Sequence, residues 1–159
     1  MNLSVISELE ENDIVEVKKL IQEYINWINI DLSFQDIETE MFTFPGKYQK
    51  PDGIFLVAKY ENAIVGCVGY RKINNEICEM KRLYVKDEYK GKGIGASLIK
   101  EVMKSAKNQG YRKMRLDTLE KMESAIKLYK RYGFHEIEQY INNPINGAKF
   151  MEKELTEES

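Results

Sequence analysis

Apolar residues recur along this chain at two periods, and each change of period marks a new element. Ile14, Val17, Ile21, Tyr24, Ile25 and Ile28 follow the three- and four-residue spacing of one helix face, which predicts a helix from about residue 13 to 28. Asn12-Asp13 offers an N-cap there, and Glu16 stands three residues after Asp13, as in a capping box. A shorter helix is predicted over Ser33 to Met41, with Phe34, Ile37 and Met41 on one face. Strand-like runs cover Leu3 to Leu9, Ile54 to Tyr60, Ala63 to Arg71 and Ile77 to Val85, rich in β-branched and aromatic residues. Between the second helix and these strands, Phe44-Pro45-Gly46 to Pro51-Asp52-Gly53 has loop chemistry. Further on, Ile94, Leu98, Ile99, Val102, Met103 and Ala106 form the stripe of a helix that begins near Gly93 and stops at Gly110. Tyr111 to Leu116 is a strand, Lys121 to Tyr132 a helix closed by Gly133, and Phe134 to Tyr140 and Ala148 to Lys153 are the last strands. The order β-α-α-β-β-β-α-β-α-β-β predicts an α/β domain with a mixed sheet and helices on both faces. One domain spans residues 3–155, and a frayed acidic tail is expected from Thr156 to Ser159.

Composition narrows the function classes. With 159 residues, 43% hydrophobic and 31% charged, the chain has material for one real core and little for a second. A formal charge of −2 gives no reason to expect nucleic acid or an anionic membrane as partner. Lysines nevertheless gather at Lys86, Lys90 and Lys92 and at Lys100, Lys104 and Lys107, a local patch suited to a small anionic ligand. Cys67 and Cys78 sit in apolar runs and read as buried small hydrophobes; two cysteines make no disulfide framework and, with the lone His135, no metal pattern. The N-terminus has no basic segment followed by an apolar stretch, and no run reaches the roughly 18 apolar residues of a membrane span. A cytoplasmic location is the expectation.

The most informative stretch is Leu83-Tyr84-Val85-Lys86-Asp87-Glu88-Tyr89-Lys90-Gly91-Lys92-Gly93-Ile94-Gly95, continuing into Ala96. A strand ends, a glycine-rich turn follows, and an amphipathic helix begins. Glycines at every second position let backbone N–H groups converge, and the helix N-terminus adds free N–H groups and partial positive charge. The result is a pyrophosphate cradle with Lys90 and Lys92 beside it. A Walker loop would require Gly-Lys-Ser/Thr, and a dinucleotide fingerprint Gly-x-Gly-x-x-Gly; neither is present.

Lys90-x-x-Gly93-x-Gly95, preceded by Leu83-Tyr84-Val85, resembles the acyl-CoA signature of the GNAT (Gcn5-related N-acetyltransferase) family, Gln/Arg-x-x-Gly-x-Gly/Ala. Ala125-x-x-x-Tyr129-x-x-x-Gly133-Phe134 is similar to a second element of that family, and the resemblance runs from about Leu3 to Leu155. Lys90 departs from the usual Gln or Arg, which keeps charge and loses bidentate geometry. Met122 stands where many members carry an Asn that contacts the pantetheine arm.

The resemblance implies acetyl transfer from acetyl-CoA to an amine, with no metal, and a cofactor site at Leu83, Tyr84, Val85, Lys90, Gly91, Lys92, Gly93, Ile94, Gly95 and Ala96. Tyr129 is implied as the proton donor to the departing thiolate, because a phenol with a reference pKa near 10 is protonated at pH 7. Glu79, eleven residues before Lys90, matches the offset of the family's carboxylate base, with Glu76 in reserve and water relays as the alternative. Backbone N–H groups on Leu83-Tyr84-Val85 are the implied carbonyl donors, at a strand the family splays. The acceptor is implied to enter near Tyr24, Trp27, Phe34 and the stretch Tyr140 to Pro144. Lys81 and Arg71 read as cations for an acceptor carboxylate, favouring a small amino acid or similar metabolite; a protein N-terminus or lysine is the other acceptor class. A CoA-binding sensor without catalysis is a further alternative, which the retained Tyr129 disfavours. Family members are often dimers, so a homodimer is the assembly to test.

Overall fold

The middle of the sheet builds itself from neighbouring segments. In the computed structural model, which describes residues 3–28 and 36–155, Ile54–Tyr60 (β2), Ala63–Lys72 (β3) and Ile77–Val85 (β4) form an antiparallel meander. Glu61 and Asn62 make the first turn at φ 52° and 69°, the left-handed region that a tight hairpin needs. Leu3–Ile6 (β1) pairs with the outer edge of β2. Beyond β4 the chain crosses over through helix α3 (Ile94–Asn108) and returns as Lys113–Leu119 (β5), parallel to β4. Ala148–Glu154 (β7) then lies antiparallel between β5 and His135–Ile137 (β6), giving the order β1-β2-β3-β4-β5-β7-β6.

Each face of the sheet carries its own core. On one, α3 presents Ile94, Leu98, Ile99, Val102 and Ala106 to Val65, Val68, Tyr70, Met114, Leu116 and Met151, with Tyr129 and Phe134 closing the end. On the other, α1 (Glu11–Ile28) packs Val17, Leu20 and Ile21 on Phe55, Val57, Cys67 and Tyr84. Alternating side chains along the central strands supply both cores at once, which is why these strands read as continuous apolar runs. Both cysteines are buried and free. α2 (Ile37–Thr43) buries none of its residues, and α4 (Glu123–Arg131) buries only Tyr129. No helix among the described residues is long and apolar enough to cross a membrane.

Several boundaries move from their sequence expectation. Helix α1 begins at Glu11, so Asp13 is not the cap; it is the third helical residue, and its carboxylate accepts the Glu10 N–H at 3.0 Å. The capping-box bond is present with its register shifted, because Glu10 precedes the helix and Asp13 reaches back to it. β1 stops at Ile6 rather than Leu9, and β5 runs on to Leu119. β6 ends at Ile137 because residues 138–140 turn away and carry the Tyr140 hydroxyl to Glu79 Oε2, 2.6 Å distant. Of the predicted second helix, residues 33–35 with Phe34 lie outside the described residues, as does the tail 156–159.

Two irregularities position the site. Opposite Val68, β4 holds an extra residue: Cys67 pairs with Tyr84 and Gly69 with Lys81, while Arg82 takes φ 65°. This bulge reverses the side-chain alternation. Cys78 and Met80 before it, and Leu83 and Val85 after it, all face the α3 core, whereas Tyr84 turns to the α1 side. The second irregularity is that β4 and β5 pair only from Ile77–Lys113 to Glu79–Arg115 and then part.

Candidate active site

Where β4 and β5 separate, a cavity of about 720 Å³ opens between them, bounded by the 310 turn and N-terminus of α3, the start of α4, and the end of α1. Parallel strands that diverge leave backbone polar groups without a ladder partner, a cost tolerated where a ligand or water takes them up. The stretch Met80 to Val85 lines this cavity from one side and Leu116 to Leu119 from the other.

At one end lies the glycine turn. Lys86 is followed by a 310 turn at Asp87–Tyr89, then Gly91 at φ 82° and Gly93 at φ 79°, with Gly93 the N-cap of α3. A β-carbon at Gly91 or Gly93 would meet nothing within 4 Å, so both glycines border open space into which side chains would project. Gly95 has a different reason: a β-carbon there would stand 3.3 Å from Leu128, so the bare helix face lets α4 approach. The loop therefore fits a pyrophosphate, with N–H groups of the α3 N-terminus directed at it. The two lysines are placed differently. Lys90 lines the cavity, pairs with Asp87 at 2.8 Å and lies 4.5 Å over the Trp27 ring. Lys92 does not line it; it turns toward the Tyr60 ring at 5.8 Å. Lys121 and Arg131, which the sequence reading passed over, are further cations in the wall.

Tyr129 enters from α4. It is 7% exposed, packs against Phe134 and lines the cavity. Burial pushes its phenol above the usual tyrosine range, with Tyr24 and Asp117 adding to the effect, so the group is a firmly protonated donor at neutral pH. The α1 side is aromatic: Tyr24, Trp27 and Tyr84 stack within 6.4 Å of one another, and the Tyr84 hydroxyl donates to Glu23. Trp27 remains 47% exposed at the rim.

A polar cluster fills the α1 face of the sheet at the point of divergence. Glu79 is 1% exposed and lies beneath its partners: Arg71 at 3.1 Å, the Tyr140 hydroxyl at 2.6 Å and Lys81 at 3.9 Å. Glu79 and Arg71 are absent from the cavity wall, contrary to the roles expected of them. Glu79 occupies the last paired position of β4, where the sheet is still closed, and Arg71 is its opposite number on β3. Glu76 lies at the far end of β4, exposed beside Arg112. Lys81, two residues beyond Glu79, does line the cavity, buried, with Asp117 Oδ1 3.6 Å away. Desolvation lowers its pKa, opposed by Asp117 and Glu79. Next to it, Arg82 clamps both oxygens of Glu40 at 2.8 Å, tying α2 to the bulge.

Of the residues anticipated from sequence, Tyr129, Lys81, Trp27, Leu83, Tyr84, Val85, Lys90, Gly91, Gly93, Ile94, Gly95 and Ala96 share this cavity. Asp117 and Arg82 were missed, whereas Asn143 falls in the Tyr140 to Pro144 stretch expected near the acceptor. Asp117 had a legible signal: Lys113, Arg115 and Asp117 alternate with Met114 and Leu116, which marks a polar face on β5 beside that of β4. Met122 is the N-cap residue of α4, and its sulfur accepts from Thr118 Oγ1 at 3.7 Å, where no amide is available.

Comparison with known proteins bears on the family and the fold. Residues 21–134 match the family model described as acetyltransferase (GNAT) family. The chain is 38% identical over 157 residues to an uncharacterized N-acetyltransferase of Schizosaccharomyces pombe, covering 98% of this chain and 96% of that one. It superposes on the crystal structure of a GNAT-family acetyltransferase from Staphylococcus aureus with a TM-score of 0.83 at 23% identity, covering 98% and 100% of the two chains. It is also similar in fold to the PaiA N-acetyltransferase of Thermoplasma acidophilum, solved in complex with coenzyme A, with a TM-score of 0.77 at 22% identity over 97% and 99%.

Proposed function

We propose that this chain, which belongs to the GNAT acetyltransferase family, moves the acetyl group of acetyl-CoA to the amine of a small, carboxylate-bearing metabolite within a ternary complex. The observation that carries this reading is the strand gap: it joins the glycine cradle, the Tyr129 hydroxyl and the buried Lys81 in one cavity. In this arrangement the pyrophosphate of CoA sits against the Gly91 to Gly95 turn and the pantetheine arm runs along the open edge of β4. The Lys86 N–H donates to Val65 O, so alternation along the strand turns the Val85 N–H toward the cavity, where it can polarise the thioester carbonyl. Tyr129 protonates the leaving thiolate. Lys81 holds the acceptor's carboxylate, and Trp27 covers the entrance. Glu79 takes a supporting part, anchoring Tyr140 and Arg71. A cytoplasmic enzyme is the setting this reading assumes.

Calorimetric titration with acetyl-CoA, CoA and ATP tests the donor half, comparing wild type with Gly93→Asp. Aspartate is a favoured N-cap residue and tolerates left-handed backbone better than most, so the fold should survive. Its carboxylate would occupy the phosphate position. Acetyl-CoA and CoA should bind wild type and lose about 100-fold or more in affinity with the variant, an electrostatic and steric loss of about 3 kcal/mol. Absence of acetyl-CoA binding by folded wild-type protein would overturn the reading.

A further inference from the structure

We infer that Asp117 receives the acceptor's ammonium group and takes its proton, facing Tyr129 across the strand gap. The inference rests on the acetyl-transfer reading above and replaces Glu79 in the role expected from sequence.

Glu79 is closed over by Arg71, Lys81 and Tyr140 and has no face on the cavity. Two carboxylates among the described residues do line it, Asp117 and Glu123. Glu123 is exposed in the first turn of α4, away from the polar cluster. Asp117 is buried, with a side chain 8% exposed, and stands two residues along β5 from the last pair with β4. Lys81 stands at the equivalent step on β4. The two side chains thus meet on the α1 face of the gap, the side lined by Tyr24, while Tyr129 belongs to the core on the α3 face.

Among the described residues, Lys81, Tyr24, Tyr129 and Tyr140 interact with the Asp117 charge, and Glu79 shares Lys81 and Tyr140 with it; Asp117 raises the pKa of all three tyrosines, which places it within electrostatic reach of both walls. One carboxylate oxygen is already oriented. Asn143 Nδ2 donates to Oδ2 at 3.0 Å, and Asn143 is itself held by accepting the Ile145 N–H at 3.1 Å. The other oxygen has only Lys81, at 3.6 Å, beyond hydrogen-bond distance. Lys81 likewise stands 3.9 Å from Glu79 and keeps donors to spare. The site therefore offers one anion and one cation, side by side and incompletely bonded. A compact α-amino acid, whose amine and carboxylate share a carbon, satisfies both: carboxylate to Lys81, ammonium to Asp117.

The proton balance closes without a cofactor beyond acetyl-CoA. Asp117 accepts one proton from the ammonium; the neutral nitrogen attacks the thioester carbonyl, forming C–N. The C–S bond then breaks, and the thiolate takes the Tyr129 proton. The second nitrogen proton restores Tyr129 through water, and Asp117 releases its proton to solvent.

The test compares wild type, Asp117→Asn and Asp117→Glu, with glycine, alanine, serine and aspartate and the amides of each as acceptors, following CoA thiol release. Asp117→Asn should lower kcat about 100-fold or more, leave acetyl-CoA affinity within twofold, and abolish the acidic limb of the kcat/KM profile. Asp117→Glu should restore part of the rate and the limb. Turnover of Asp117→Asn within threefold of wild type, with the limb intact, would overturn the inference while leaving the donor half standing. If wild type binds acetyl-CoA but acetylates none of these amines, the amino-acid acceptor is refuted. The slow hydrolysis of acetyl-CoA then reads Asp117, since attacking water must lose a proton to the same group, and an unchanged rate in Asp117→Asn refutes its role. Should Asp117→Asn lower the Tm, its acetyl-CoA affinity within twofold of wild type and the partial rescue by Asp117→Glu keep the comparison interpretable.

Discussion

Replacing Tyr129 by phenylalanine separates chemistry from packing at this site. The ring stays against Phe134, 5.8 Å between centroids, and the hydroxyl has no hydrogen-bond partner among the described residues. Folding should therefore change by no more than about 0.5 kcal/mol, the scale of a substitution that leaves no cavity and strands no polar partner. Catalysis should change far more. A positioned general acid contributes about 10²–10⁴ in rate, or about 3–5 kcal/mol of the barrier. Burial keeps the phenol protonated well past neutral pH, so the loss should be nearly constant from pH 6 to 9. Single-turnover release of CoA, with acetyl-CoA prebound, isolates this step from product release. The leaving group supplies an internal control, because an acetyl thioester of a more acidic thiol needs less help, and the defect should shrink with it. If Tyr129→Phe releases CoA within twofold of wild type for both thioesters, the hydroxyl is not the proton donor and the motif tyrosine is a packing residue.

Two further outcomes test what holds the site in place. Glu40→Gln removes the charge that Arg82, 5% exposed, clamps with two contacts at 2.8 Å, and should cost about 3 kcal/mol by denaturant titration; a loss below about 0.5 kcal/mol would show that α2 is not secured through β4. The Asp13 carboxyl is held below its usual 3.8 by the Glu10 N–H and then by Lys59 at 3.0 Å. Its contribution, about 1 kcal/mol, is therefore present above about pH 4 and lost as pH falls through the depressed value. Wild type and Asp13→Asn should differ in Tm at pH 7 and converge below pH 4; a constant difference would refute the linkage.

Much of the fold was written locally. The helix stripe from Ile14 to Ile28, the three central strands, and the C-terminal glycines at 110 and 133 are short-range signals, and the elements they announced are present. The glycine turn was legible for the same reason: Gly91, Gly93 and Gly95 alternate within five residues, and a strand-turn-helix unit needs no distant residue to take shape. Tyr129 was reachable because its helix and closing glycine form one local motif.

The polar side of the cavity depended on tertiary structure. Glu79 and Lys81 look equivalent on a period-two strand, yet one is sealed under Arg71 and Tyr140 and the other opens on the cavity. That difference arises because β4 leaves β5 between them, and pairing between segments 36 residues apart in sequence has no local signature. The Arg82 bulge is equally silent in sequence, since nothing about an arginine announces φ 65°. Residues 138–147 read as a strand and a loop; their role in bringing Tyr140 to Glu79 and Asn143 to Asp117 follows from β7 inserting beside β5. Periodicity and turn chemistry sufficed for elements and for the cradle. Which charged side chain faces the cavity was decided by where two strands part, a balance of long-range contacts that no single segment contains.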